Sequence, residues 1–168
     1  MTAARRQRKS WRGLFFFLAL AGLALLVSGG NMASRAATTE RVVSDPNSGL
    51  AIDGFDPVAY FIDAAPRLGS PEFELSYAGV VWRFRNEGNR ASLVAHPEIY
   101  GPQFGGYDPV DLSRGVTIAG NPRFFVVTGA RLYLFDREDH RDAFAAEPGR
   151  FIKDAKARWP ELRDNLAQ

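Results

Sequence analysis

Cysteine is absent from all 168 residues, which excludes disulfides, thiolate metal sites, iron–sulfur clusters, thiolate-held haem and every cysteine nucleophile, whatever the compartment. Histidine is nearly as scarce: His96 and His140 are the two, and no HExxH or comparable metal-ligand spacing joins them. The GxSxG elbow is missing, and beyond residue 36 the only lysines are Lys153 and Lys156, so no covalent enzyme is expected. Glycine-rich phosphate loops of either kind are missing too. Acid is lacking at one end of the chain, because up to Ala36 there are Arg5, Arg6, Arg8, Lys9, Arg12 and Arg35 and not one carboxylate. Without those six cations, 15 basic residues face 19 acidic ones, and residues 37–168 carry a formal charge of −4, a poor surface for nucleic acid. The content of 46% hydrophobic and 24% charged residues suits a packed domain and excludes disorder, collagen and coiled coil.

The basic end has the pattern of an export signal. Five cations precede an unbroken apolar run, Leu14 to Val27. Fourteen helical residues reach about 21 Å, short of the roughly 30 Å hydrocarbon core of a bilayer, so a signal peptide fits better than a stable transmembrane helix. Ser34-Arg35-Ala36 offers a small-x-small cleavage pattern before Ala37, although Ala36 lies nine residues past the end of the apolar run, and an uncleaved signal anchor stays open. Either outcome delivers the remainder outside the cytoplasm, to a periplasmic or other extracytoplasmic space, with membrane contact only through residues 14–27 if the signal is retained. Gln7, Arg8 and Lys9 follow Arg5-Arg6 where a twin-arginine signal wants apolar residues, and a lipobox would need a cysteine.

The organisation expected is therefore a signal or anchor over 1–36, a polar linker over 37–49 and one small α+β domain over 50–168. Asp56-Pro57 before Val58-Ala59-Tyr60-Phe61 reads as a short helix with an Asp cap and Pro at its first turn. Residues 64–71 read as a loop. Phe73 to Tyr77 and Val80 to Arg85 form a hairpin about Ala78-Gly79, with Trp82 and Phe84 on one face and Arg83 and Arg85 on the other. A helix follows from Asn86 to His96, capped by Asn86 or Asn89, with Leu93 inward and Pro97 ending it.

The arrangement recurs 51 residues later, giving two ββα units over about 72–100 and 123–151. Phe73, Phe84, Glu87, Arg90, Ala95 and Pro97 match Phe124, Phe135, Glu138, Arg141, Ala146 and Pro148, while Trp82, Leu93 and Tyr100 match Tyr133, Phe144 and Phe151. Duplication and the selection of similar residues by similar local structure both account for this. In the second unit Gly129-Ala130 makes the turn, Asp136 is expected to cap, and a helix is expected over 141–146. Its strands are apolar on both faces, which predicts cover on both sides. A C-terminal helical segment over 151–166, interrupted by Pro160 after Trp159, is available as part of that cover.

Between the units lies a stretch without periodicity, Tyr100 to Asp111, whose length is unusual for an idle connection. Its glycines, Gly105 and Gly106 among them, permit left-handed backbone or close approach of a ligand, and Gln103, Tyr107 and Asp108 offer polar groups. A crossover loop whose glycines serve only turns explains it equally well.

Four segments in order resemble the YHS domain-containing proteins, in particular the exported subgroup described as YHS domain-containing selenoproteins and their cysteine counterparts. They are GFDPVAYF at Gly54–Phe61, the Tyr77-x-Gly79-x-x-Trp82-x-Phe84 hairpin, the helix with Asn89-Arg90 and Leu93 followed by Pro97 and Tyr100, and PQFGGY at Pro102–Tyr107. The likeness spans roughly residues 50–166. It implies a small α+β domain behind a signal peptide, with heavy-metal or copper binding suggested for members that carry cysteine. The residue after GGY is typically cysteine or selenocysteine in that family and is Asp108 here, a hard oxygen ligand that supports neither thiol redox chemistry nor capture of Cu(I). A pocket is what remains, with Asp56, Tyr60, Tyr100, Gln103, Gly105, Gly106, Tyr107 and Asp108 as candidate ligand-binding residues and no cofactor named by them.

His96 reads as a helix-end residue facing the dipole, and His140, inside Asp136-Arg137-Glu138-Asp139-His140-Arg141, as part of a solvated helix start. Metal sites from Asp136, Asp139 and His140, or from Asp108, Asp111 and loop carbonyls, are minor alternatives. Two functions stay open: a noncatalytic binding module for a small ligand or metal ion at residues 100–111, and a cell-envelope interaction or scaffold protein that has lost an ancestral thiol site. An enzyme using Asp108 and Tyr107 as acid–base groups ranks last.

Overall fold

Both hairpins turn on two left-handed residues, Ala78-Gly79 and Gly129-Ala130, with φ between 53° and 81°. That turn matches the twist of the flanking strands and so fixes their register. The computed structural model describes residues 41–166. Among these the chain is mixed α+β, with two small antiparallel hairpins and six helices. In order they are α1 (Ala59–Ile62), β1 (Ser70–Tyr77), β2 (Val80–Phe84), α2 (Glu87–Ala95), α3 (Pro97–Tyr100), α4 (Pro109–Leu112), β3 (Asn121–Thr128), β4 (Arg131–Phe135), α5 (Glu138–Ala146) and α6 (Pro148–Asp164). The signal segment expected over 1–36 lies outside the described residues; no helix among the described ones is long and apolar enough to cross a membrane.

The two ββα units agree in detail. Ser70 pairs with Phe84 and Asn121 with Phe135, Leu75 with Trp82 and Val126 with Tyr133, and both registers slip at the same place, after Ser70 and after Asn121. At each slip a glycine is required by close approach. A Cβ on Gly69 would lie 2.4 Å from the Arg83 carbonyl carbon, and one on Gly120 would lie 2.7 Å from both Gly106 O and Leu134 Cβ. An Arg–Glu pair, at 2.8 Å in both copies, lies on each first helix turn: Arg90 with Glu87 and Arg141 with Glu138. The likeness also reaches upstream of the strands. Asp56 N–H donates to Arg67 O and Asp108 N–H to Ile118 O, and Gly69 and Gly120 N–H donate to Gly54 O and Gly106 O. Because Asp56 and Arg67 are 11 positions apart and Asp108 and Ile118 only 10, the offset is 52 residues before this connection and 51 after it.

Each unit builds its own core, one around Ile52, Tyr60, Trp82, Phe84 and Leu93 and the other around Phe104, Tyr107, Tyr133, Phe135 and Phe144. Strand β4 lies between them, because its alternating side chains give Leu132 and Leu134 to the first core and Tyr133 and Phe135 to the second. The expected two-sided cover is therefore found on β4, whereas β3 keeps Arg123 and Val127 exposed.

Three expectations are corrected. The linker expected over 37–49 ends by Arg41, since Val43 is buried, its N–H donates to Gly105 O at 2.8 Å, and Ser44 bridges Ala51; the apolar Val42-Val43 pair explains its docking. Asp136 does not cap α5: the N-cap is Arg137, and the helix begins at Glu138, where two acids in the first turn meet the dipole. Pro160 does not interrupt the C-terminal helix, which runs unbroken from Pro148 to Asp164. Pro160 and Lys156, the residue whose carbonyl it leaves without a helical donor, are both exposed, so water can satisfy that carbonyl.

Candidate functional site

An Asp-Pro-Val corner stands at the same point of each unit. In the first, Asp56 is fully buried; Oδ1 accepts from Val58 N–H at 2.8 Å, and Oδ2 accepts from Arg85 N–H at 2.8 Å and from Asn89 Nδ2 at 2.6 Å. In the second, Asp108 is equally buried. Its Oδ1 accepts from Val110 N–H at 2.7 Å, while Oδ2 accepts from Asp136 N–H at 2.9 Å and meets His140 Nδ1 at 2.7 Å. Asp108 thus caps α4, whereas Asp56 holds the Pro57-Val58 turn ahead of α1, whose N-cap is Val58 and not the expected Asp56. Each carboxylate also ties down the end of a hairpin and holds a side chain from the helix behind it. Burial of a charge is tolerated because every donor around it is satisfied. The sequence places the third donor by helical spacing: Asn89 and Leu93, like His140 and Phe144, are the inward-facing i and i+4 residues of their helices.

His140 is consequently buried, 2% exposed, and not the solvated residue expected from its charged neighbours. The Arg137 guanidinium lies against its Nε2. Arginine offers donors only, so Nε2 accepts and the hydrogen-bond network assigns the ring proton to Nδ1, facing Asp108.

The units differ in what surrounds the corner. Where the first has Ala59, Asn86 and Asn89, the second has Asp111, Arg137 and His140. Asp111 Oδ2 stands 3.6 Å from His140 Nδ1, and Arg114 approaches the same carboxylate at 3.5 Å. Burial, then the Asp108 charge beside it, raises the Asp111 pKa, against the opposing pull of His140 and the two arginines. Asp108, Asp111 and His140 each offer one ligating atom, all within 4.8 Å of one another. Neither expected metal set matches this one, which takes Asp108 and Asp111 from one and His140 from the other; Asp139 is exposed and pairs with Arg137 at 2.9 Å. His96 is exposed, with Glu98 at 3.6 Å.

The eight candidate residues do not share one pocket. Asp56 and Tyr60 belong to the first core, where Tyr60 OH donates to Pro122 O at 2.8 Å and burial, followed by Asp53 and Asp56, drives its pKa upward. Tyr100 packs edge-on to Phe61 at 5.2 Å. Gln103 and Gly105 line an open groove of about 400 Å³ with Arg41, Tyr77, Trp82 and Phe104. A Cβ on Gly105 would lie 2.0 Å from Arg41 O, so this glycine serves close packing of the chain upon itself. Gly106, Tyr107 and Asp108 lie within the second unit, where Trp159 of α6 packs near Tyr107 at 6.0 Å between ring centroids. His140 and Asp111 join Asp108 in place of the rest. Comparison with known proteins brings no match: no family model, curated protein or solved structure is significantly similar to the chain.

Proposed function

We propose that the chain is an exported, noncatalytic binding module whose binding end is the Asp108 corner of the second unit, the first unit serving as scaffold. One observation carries this reading. The two corners share their hydrogen-bond frame, so the frame itself is explained by folding, and Asp111 and His140 are a surplus that Ala59 and Asn89 show the fold does not need. A buried acidic and imidazole surplus is costly unless something uses it. Export rests on the order of cations and apolar residues over 5–27, and the likeness to YHS domain-containing proteins on the four segments quoted above. The intact mass of the exported protein tests the address: a start at Ala37 marks a cleaved signal, and retention of residues 14–27 an anchor.

The function is tested by giving the second corner the residues of the first. Asp111→Ala with His140→Asn is expected to leave the thermal midpoint within about 3 °C of wild type, since Asn at 140 can donate to Asp108 as Asn89 does to Asp56. In a thermal-shift panel of divalent ions and small organic acids and amines, compounds that raise the wild-type midpoint are expected to leave the exchanged protein unmoved. A large loss of stability without additives would make the surplus structural and sink the reading. Equal shifts for both proteins would favour the envelope-interaction alternative, for which the aromatic-lined groove beside Gln103 is the available surface.

A further inference from the structure

We infer that Asp108, Asp111 and His140 form a divalent-cation site in which the Arg137 side chain competes with the ion; this rests on the binding reading above and names its ligand. The geometry is close to what an ion demands. Bonds of about 2.1 Å at tetrahedral or octahedral angles place neighbouring ligand atoms roughly 3.0–3.4 Å apart. His140 Nδ1 stands 2.7 Å from Asp108 Oδ2 and 3.6 Å from Asp111 Oδ2, each within a few tenths of an ångström of that range, and the ligating atoms of all three residues lie within 4.8 Å of one another. Asp108 keeps its two backbone donors throughout, because a carboxylate has lone pairs for both and for a metal. Those donors supply the outer hydrogen bonds that hold a ligating carboxylate in place.

Charge and ligand type narrow the ion. Two carboxylates and a neutral imidazole match a dication, and a set of nitrogen and oxygen without sulfur suits Zn²⁺, Co²⁺ or Mn²⁺, not Cu(I). Without an ion the positive charge comes from Arg137 and Arg114, whose side chains are 50% and 56% exposed and free to leave for solvent. The proton count is conserved on binding. The metal takes the Nδ1 lone pair, the ring proton passes through solvent from Nδ1 to Nε2, and the imidazole stays neutral. An Nε2–H cannot accept from Arg137, so the guanidinium must turn outward, toward Asp139 and Asp136, which already lie 2.9 and 3.9 Å from it.

The test uses the full-length chain in detergent, titrated with Co²⁺ and Zn²⁺ by calorimetry, with the visible absorption of bound Co²⁺ as readout. Wild type is expected to take one ion per chain with visible bands of a low-coordinate site. Asp111→Ala and His140→Asn are each expected to weaken binding at least tenfold, and Arg137→Gln to strengthen it, while His96→Ala changes nothing. Failure of wild type to bind either ion at 1 mM, or binding indifferent to Asp111→Ala and His140→Asn, overturns the proposal; weaker binding in Arg137→Gln overturns the competition. If no ion binds but organic compounds still distinguish wild type from the exchanged protein, the binding reading survives and the metal assignment falls. If neither distinguishes them, both fall.

Discussion

Asp56→Ala and Asp108→Ala are each expected to lower the free energy of unfolding by about 3–5 kcal/mol, the usual cost of removing one partner from a buried charged network. Either change deletes three accepted hydrogen bonds at once. It strands an inward-facing backbone N–H at the end of a hairpin, Arg85 or Asp136, and leaves Asn89 or His140 facing a cavity. Helix starts suffer as well, since Val58 N–H and Val110 N–H lose the oxygen that holds them. Urea unfolding of the two variants measures this directly. Loss of less than about 1 kcal/mol in either would contradict the frame described here. Tolerance of Asp108→Ala alone would mean that the second carboxylate has been released from duty in the fold.

Phe144→Ala is expected to cost a similar amount, about 3–5 kcal/mol, and to lower the thermal midpoint by roughly 10 °C or more. Phe144 is fully buried, with ring centroids of Tyr133, Phe135 and Phe151 at 4.9, 5.0 and 6.2 Å. It therefore joins β4, α5 and α6 in one contact, and its removal opens a void that three rings cannot close together. Leu93→Ala, its counterpart in the first unit, is expected to cost about 2–5 kcal/mol. Calorimetric melts of both variants check the pair; a midpoint within 2 °C of wild type for Phe144→Ala would remove it from the centre of the core.

Much of this architecture is readable in the residues, and the rest is hidden for identifiable reasons. The hairpins declare themselves because a left-handed two-residue turn and alternating apolar positions coincide at Ala78-Gly79 and Gly129-Ala130. The 51-residue repeat is visible wherever side chains face a core. Its upstream half is masked by one extra residue in the connection after Asp56, which moves Gly54-Phe55-Asp56-Pro57-Val58 and Gly106-Tyr107-Asp108-Pro109-Val110 to an offset of 52. The site is hidden by a different cause. His140 lies in a run of charges that reads as solvated, and composition along the chain carries no information about which side of a helix faces inward. The helical period does: counting four residues back from Phe144, as from Leu93 to Asn89, brings His140 to the buried face. Asp111 has no such marker, because its burial depends on α4 being packed against α6 and β4, both distant from it in sequence.

The carboxylates also set how the chain opens. Each reaches the amide that ends its hairpin across 29 or 28 residues, and the helix side chain across 33 or 32. Corner, hairpin and helix are thereby closed into a ring whose parts cannot detach singly: freeing the Arg85 or Asp136 amide requires that the corner, the strand end and the helix face separate together. Two such rings, each set on a core to which β4 contributes, make the unit of cooperative opening a whole repeat and not a single strand or helix.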